Sequence, residues 1–331
     1  MTVPHACVVL KRSSITRWVE EEHDERVAAL LEAGDETVQR MRPAHREHAE
    51  TIEEVRQALA ELRVTASWHD RAAGFRVEDR CDLVVTVGGD GTLLAASHGI
   101  GPGVPLLGVN SAPSHSVGFF CAARKGSVRE ALAAALDGSL RRIELTRMRV
   151  ELNGRGLHER VLNEALFCHA SPAATSRYIV RLVEQRGRAR AADRKAVERV
   201  IAEEEQKSSG MWIGPAAGST AAQRSAGGRV MPLSSHKLQF VVREPYQPNT
   251  HELRLGLGLV DEGQALVIRS QMRAGRLFLD GDRIVHEVRI GDLVRMCRSD
   301  EPLVVLGLTR VSSRRPSRPD GRAPSAPDRT A

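Results

Sequence analysis

Residues Gly88-Gly89-Asp90-Gly91-Thr92 constrain this chain more than any other stretch. The apolar run Leu83-Val84-Val85-Thr86-Val87 precedes them and reads as a buried parallel strand. Leu93-Leu94-Ala95-Ala96-Ser97 follows and reads as the first turns of a helix. Glycines at a strand-to-helix corner let backbone N–H groups approach an anion closely. A carboxylate inside such a cradle, Asp90, is an electrostatic mismatch unless it serves a purpose. It could hold a magnesium ion or take a proton from an attacking hydroxyl, and both uses point to phosphoryl transfer. A Gly-Gly-Asp-Gly run could also be only a tight turn. The flanking strand and helix weigh against that.

The first third of the chain alternates strand and helix. Ala6–Leu10, Val64–Trp68, Leu83–Val87 and Val104–Val109 read as strands. Residues 17–62 read as mostly helical, with Pro43 marking a break. A helix at 127–137 is expected to start with a Ser127/Glu130 capping box and to stop at Gly138. Strands separated by helices imply a mostly parallel sheet, with ligands outside the carboxyl ends of its strands. After residue 140 the period changes. Asn153-Gly154 and Asp280-Gly281 mark hairpins, and short strands recur to residue 308. The expected plan is therefore an α/β domain over 1–140 and an all-β domain over 141–310. A charged insertion at 184–207 reads as a solvated helix, and a disordered basic tail follows at 311–331.

Charge narrows the partners. The net charge is +6, and residues 310–331 hold six arginines against two aspartates, which is +4 of it. A nearly neutral body argues against a nucleic-acid-binding face. The five cysteines are scattered, with no Cys-x-x-Cys pair and no His/Cys zinc spacing. Cys7 and Cys168 read as small strand hydrophobes in a reducing compartment. No apolar run approaches 18 residues and no leader pattern opens the sequence, so the expectation is a cytoplasmic protein with no membrane partner.

Three further stretches carry chemistry. Gly108-Val109-Asn110-Ser111, running on to Ser116-Val117-Gly118-Phe119-Phe120, ends the fourth strand beside the Gly-rich loop. Asn110 offers an amide there and Phe119 a flat face for a base; a turn Asn and a core Phe are the plainer readings. Asn163-Glu164 is a polar pair inside the apolar run Val161–Phe167. It is costly to bury without partners and suits ribose hydroxyls, unless it marks a solvent-facing edge. Gly218-Ser219-Thr220-Ala221-Ala222, followed by Ser225-Ala226-Gly227-Gly228, is a small-residue cluster that lets backbone approach a sugar or phosphate. His236 reads as a loop histidine, and Asp280 and Asp282 as hairpin residues rather than metal ligands.

Taken together, in this order and spacing, these stretches resemble the NAD kinase family from about residue 80 to 308. Leu93–Ser97, Asn110 with Ser116-Val117-Gly118, and Gln206-Lys207-Ser208-Ser209-Gly210 look most like its mitochondrial-type branch and the bacterial relatives of that branch. The resemblance implies an α/β domain and a β domain with the site between them, as in the related lipid kinases. It implies transfer of the γ-phosphoryl of ATP, with magnesium or another divalent cation, to the 2′-hydroxyl of the adenosine ribose of NAD or NADH. By position, Asp90 would act on that hydroxyl as base or orienting acceptor. Gly88, Gly89, Gly91 and Thr92 would hold donor phosphates, and Phe119 would contact the adenine beside Asn110. Asn163 and Glu164 would bind acceptor ribose hydroxyls, while Ser219, Thr220, Ala221 and Ser225 would line the acceptor pocket. Family members are commonly homo-oligomers.

The sequence departs from the family where Pro215-Ala216-Ala217 replace Thr-Pro-Thr and Ala222 replaces Tyr. Ser209 stands where many bacterial members carry an Asp near the nicotinamide amide. These changes bear on the nicotinamide end and leave the phosphate loop intact. Two other classes share part of the pattern. A lipid kinase of the diacylglycerol or sphingosine type shares the loop but would need an exposed apolar groove. A non-catalytic NAD-binding protein has no need of Asp90.

Overall fold

The run Leu83–Gly88 is buried at every residue, because helices cover both faces of the sheet it joins. The computed structural model describes residues 3–71, 74–185, 198–246 and 253–308. The first half runs β1 (His5–Leu10), α1 (Glu25–Ala33), α2 (Met41–Glu61), β2 (Thr65–Asp70), β3 (Leu83–Gly88), α3 (Asp90–Ser97), β4 (Pro105–Asn110), β5 (Ala123–Arg124), α4 (Val128–Leu136) and β6 (Arg142–Leu145). Strands β7 (Met148–Leu152), β8 (Arg155–Val161), β9 (Ala165–His169), β10 (Ser176–Gln185), β11 (Glu198–Ser208) and β12 (Met211–Pro215) follow. After the short α5 (Ala222–Ser225) come β13 (Leu238–Val242), β14 (Leu257–Val260), β15 (Gln264–Ser270), β16 (Gly275–Leu279), β17 (Ile284–Val288), β18 (Leu293–Arg298) and β19 (Leu303–Leu306).

The first sheet has the order β2-β1-β3-β4-β19-β6, with β5 also on β4. All of its pairings are parallel except β19 with β6. Val85 and Val87 pack on α2 and α4 through Val55, Leu59, Val128 and Leu132. Val84 faces α3 through Leu93 and Ala96. The rest forms two six-stranded antiparallel sheets, β11-β10-β15-β18-β7-β8 and β14-β13-β12-β9-β16-β17, closed over one core that includes Phe167, Tyr178 and Phe240. The expected plan of a parallel α/β part and an all-β part therefore holds. Its line at residue 140 is crossed twice, since β6 and β19 both complete the first sheet. No helix among the described residues is long and apolar enough to cross a membrane.

Local expectations are corrected in three places. The charged segment at 184–207 is not a helix where it is described: β10 and β11 form a long antiparallel ribbon, stitched by Arg181–Glu203 and Arg199–Glu184 ion pairs. Residues 186–197 and the tail beyond 308 lie outside the described residues. Pro43 does not break a helix but sits in the first turn of α2, where its missing N–H costs nothing; the break is Gly34, at φ +68°. The α4 N-terminus is capped not by Ser127 but by Glu54 of α2, which accepts from the Gly126 and Val128 N–H groups.

One buried cation ties the halves together. Arg147, fully buried between β6 and β7, donates to four main-chain carbonyls. Those of Ser97 and Ile100 lie at the end of α3, and those of Glu301 and Pro302 lead into β19. Burial, with Arg160 nearby, pulls this guanidinium down to about 10. Arg147→Ala is expected to cost roughly 3–5 kcal/mol, because four buried carbonyls lose a donor together. Urea unfolding of the variant tests this, and a loss under about 1 kcal/mol would contradict it.

Candidate functional site

The Gly-rich loop opens α3 at the carboxyl end of β3. A Cβ at Gly88 would lie 2.2 Å from Thr92 Oγ1 and 2.7 Å from its Cβ, so this position excludes a side chain, and one at Gly89 would crowd Ser116 Oγ at 2.6 Å. Asp90 Oδ2 accepts from the Phe119 N–H at 2.9 Å and Oδ1 from the Phe120 N–H at 2.8 Å. Each oxygen keeps a free lone pair. Asn110 makes this possible: its Nδ2 donates to the Ser116 carbonyl and its Oδ1 accepts from the Ala112 N–H, folding the loop that delivers Phe119. The Asn110 amide is thus committed to loop shape. Thr92 Oγ1 is buried with no hydrogen-bond partner among the described residues.

Asn163 and Glu164 link β8 to β9 between the two antiparallel sheets. Both reach inward: Asn163 Oδ1 and Glu164 Oε2 are buried acceptors without partners among the described residues. Burial, aided by repulsion from Asp280, pushes the Glu164 carboxyl up to about 7. The segment is held by its backbone. Asp280, whose side chain is fully buried at the β16–β17 turn, accepts from the N–H groups of Leu162 (2.8 Å), Asn163 (2.7 Å) and Glu164 (3.0 Å). The hairpin reading of Asp280-Gly281 is right about the turn and misses this carboxylate.

Behind Asp280 the hydrogen bonds fix one imidazole tautomer after another. The Arg160 N–H donates to His158 Nδ1 (3.1 Å), so the proton of neutral His158 is on Nε2. Burial pushes His158 down to about 4 and keeps it neutral. Its Nε2–H then donates to His98 Nδ1 (3.0 Å), and His98 Nε2–H donates to Asp280 Oδ2 (3.2 Å). His98 caps the C-terminus of α3, the helix that Asp90 opens. The two ends of the site are therefore joined through one helix. Packing joins them as well: Leu93, Phe120, Leu162 and Ala217 share a cluster with Phe119 at its edge.

The small-residue cluster arrives by backbone contact. A Cβ at Gly214 or Gly218 would lie 2.1 or 1.9 Å from the Asn163 carbonyl oxygen, so only glycine allows that approach. Gln223 Nε2 reaches the same oxygen at 3.4 Å. Ser219 is buried and spends its hydroxyl internally, donating to the Ala216 carbonyl and accepting from the Met231 N–H. Thr220 and Ser225 are exposed, and Ala221 is partly exposed. Ser209 lies in the turn between β11 and β12, where its N–H donates to the Arg243 carbonyl.

Sequence reasoning missed the cations. A cavity of about 350 Å³ beside the loop is lined by Lys11, Arg71 and Arg283, with Arg12, Ser13 and Trp18. Lys11 follows β1 directly, and its Cβ lies 3.1 Å from where a Gly88 Cβ would be. Arg71 Nη1 lies 3.7 Å from the equivalent point on Gly91, and its Nε is buried without a partner among the described residues. Crowding by protein lowers the Lys11 ammonium, and Arg71 lowers it further. Burial and then Arg283 lower Arg71, with Asp282 opposing. Clustered cations beside a glycine cradle fit a polyphosphate.

Residues 7–140 match the family model for the ATP-NAD kinase N-terminal domain. A probable NADH kinase of Oryza sativa subsp. japonica is 38% identical over 238 residues, covering 67% of this chain and 70% of that protein. An NADH kinase of Arabidopsis thaliana is 36% identical over 252 residues, covering 70% of this chain and 76% of that one. The crystal structure of yeast NADH kinase complexed with NADH superposes with a TM-score of 0.61 at 14% identity, covering 93% of this chain and 85% of that chain. That of an NAD kinase from Archaeoglobus fulgidus in complex with ATP gives 0.59 at 18% identity, covering 91% and 92%. At such identities the solved structures share the fold.

Glu164 gives this geometry a pH signature. Its folded value, about 7, lies above its ordinary 4.5. The burial penalty is thus absent below pH 4.5, grows as pH rises, and is complete above pH 7. Glu164→Gln should match wild type in stability near pH 4 and exceed it by about 1–3 kcal/mol at pH 8. Denaturant unfolding of both proteins across this range checks it, and a pH-independent difference would contradict it.

Proposed function

This chain belongs to the NAD kinase family, and we propose that Asp90, Asn163 and Glu164 carry out the family's reaction on one ribose. The enzyme is an NAD(H) kinase: the γ-phosphoryl of ATP passes to the 2′-hydroxyl of the adenosine ribose, giving NADP(H) and ADP. The observation that carries our residue assignment is the pair of buried, unpartnered acceptors, Asn163 Oδ1 and Glu164 Oε2. Two adjacent acceptors of this kind want hydroxyl donors, and a ribose supplies two.

In this reading Asn163 and Glu164 grip the acceptor ribose, and the 2′-hydroxyl turns toward Asp90. An unactivated hydroxyl is a poor nucleophile, so Asp90 accepts or orients its proton as the O–P bond forms. The donor phosphates lie against the amides of Gly88, Gly89 and Gly91. Lys11 and Arg71 take the part a P-loop lysine plays elsewhere, stabilising charge on the phosphate oxygens. Magnesium fits this site as a hard cation among oxygen donors, with the free lone pairs of Asp90 and the unpaired Thr92 hydroxyl present to meet it. When bound with ATP it would neutralise phosphate charge. Phe119 would stack on the adenine, and Thr220, Ala221 and Ser225 would border the acceptor.

One plant relative is named an NADH kinase and another a probable NADH kinase, which favours NADH over NAD as acceptor. The reading also makes the protein a cytoplasmic homo-oligomer. Exposed Leu257 and Leu259 on the edge strand β14 support the second part.

Coupled assay of NADP(H) formation with MgATP tests the assignment. Asp90→Asn should lose about 10²–10⁴-fold in kcat while staying folded. Lys11→Ala should raise the KM for ATP roughly 10–100-fold and leave the KM for the acceptor little changed. NADH should be the better acceptor. Full turnover in Asp90→Asn would overturn the role of Asp90, and an equal rise in both KM values would overturn that of Lys11.

A further inference from the structure

A second cluster of ligand-type side chains lies at the other end of β1 from the phosphate loop. Parallel pairing sets His5 against Thr65, Cys7 against Ser67 and Val9 against His69. Alternation then puts His5, Cys7, Thr65, Ser67 and His69 on one face of the sheet. The segment leading into β3 crosses this face and brings Glu78 and Cys81. Donor atoms of His5, Cys7 and Glu78 all lie within 4.8 Å of one another. His5 Nε2 is 3.6 Å from Glu78 Oε2, and Cys81, a neighbour of Cys7, donates its S–H to the Leu83 carbonyl at 3.4 Å. All of these cysteines are free thiols.

The surroundings prepare these groups as ligands. Thr65 Oγ1 donates to the Pro4 carbonyl at 3.1 Å, so it must accept from His5 Nδ1 at 2.9 Å. The His5 proton is thereby fixed on Nδ1, and the Nε2 lone pair, which accepts from Ser67 Oγ at 3.2 Å, faces the cluster. His69 Nε2 holds the other Glu78 oxygen at 3.1 Å. The backbone locks the cluster's edge, with the His5 N–H on Asp82 Oδ2 and the Asp82 N–H on the His5 carbonyl.

We propose that His5, Cys7 and Glu78, joined by Cys81 turning from the Leu83 carbonyl, form a four-ligand site for a zinc-class divalent cation. One imidazole nitrogen, two thiolates and a carboxylate suit a borderline cation in tetrahedral geometry. Thr65 orients His5 and His69 orients Glu78, as outer partners do at metal sites. Binding releases thiol protons to solvent and ties the segment between β2 and β3 to the sheet, which makes the site structural. It is separate from the magnesium that accompanies ATP: Cys7 precedes Lys11 by four residues, about 13 Å along the strand. The sequence hides the site, because its ligands come from positions 5, 7, 78 and 81 with no fixed zinc spacing.

Cobalt titration of the full-length protein in a non-thiol reductant tests this. One Co²⁺ per chain should give a thiolate-to-cobalt charge-transfer band in the near ultraviolet, and one equivalent of Zn²⁺ should abolish it. Cys7→Ser and Cys81→Ser should each weaken the band to about half, and the double variant should lose it, while Asp90→Asn keeps it. Cys7 is buried and its variant could fail to fold, so exposed Glu78 gives a second test. Glu78→Gln and Thr65→Val should fold and bind Co²⁺ at least about tenfold more weakly. No band in wild type, a band that survives the double cysteine variant, or unchanged affinity in Glu78→Gln and Thr65→Val would each overturn the proposal.

Discussion

The Asp280 carboxylate is the contact on which the site depends. It sits in a left-handed turn at φ +50°, followed by Gly281, and its side chain is completely buried. Three successive N–H groups of the 162–164 segment donate to it, and His98 meets it from the end of α3. A hydrogen bond to a charged group contributes about 1.5–3 kcal/mol, so three together fix a backbone that crosses between sheets with no ladder of its own. With those N–H groups satisfied, the side chains of Asn163 and Glu164 need not serve the fold. Gly214 and Gly218 complete the arrangement, since a side chain at either would strike the Asn163 carbonyl.

The two halves of the site hold opposite kinds of unmet need. On the donor side stand Lys11 and Arg71, two crowded cations lowered by burial, Lys11 also by Arg71, and Arg71 also by Arg283 with Asp282 in opposition. On the acceptor side stand an amide oxygen and a carboxylate that are buried without donors. Each is a cost in the folded chain that a ligand would relieve, and such costs gather at functional sites because the rest of the structure tolerates them. Arg147 supplies some of that tolerance. By binding carbonyls from both halves it keeps α3 and the return to β19 in place around the site.

Much of this was legible in the sequence. Gly88–Thr92 announces itself, because a buried strand, a glycine corner and a helix leave few other folds open. Asn163-Glu164 stands out as a polar pair in an apolar run. Asp280 does not, since Asp-Gly signals a hairpin whether or not the carboxylate turns inward. Lys11, Arg71 and Arg283 meet only through the fold, and no local pattern connects them. The ribbon of β10 and β11 was hidden for another reason. The outer part of β11 faces solvent on both sides, so the period-2 apolar alternation that marks a half-buried strand is absent there. Ser219 and Asn110 show the reverse case. Their polar groups look available in sequence, and the fold consumes both.

A crystal structure of the protein with NADH and a non-hydrolysable ATP analogue tests the central claim most directly. The account predicts ribose hydroxyls within about 3 Å of Asn163 Oδ1 and Glu164 Oε2, with the 2′-hydroxyl turned to the Asp90 carboxylate. Asp280 should still hold the three N–H groups. A ribose bound elsewhere, with Asn163 and Glu164 still unpartnered, would contradict it.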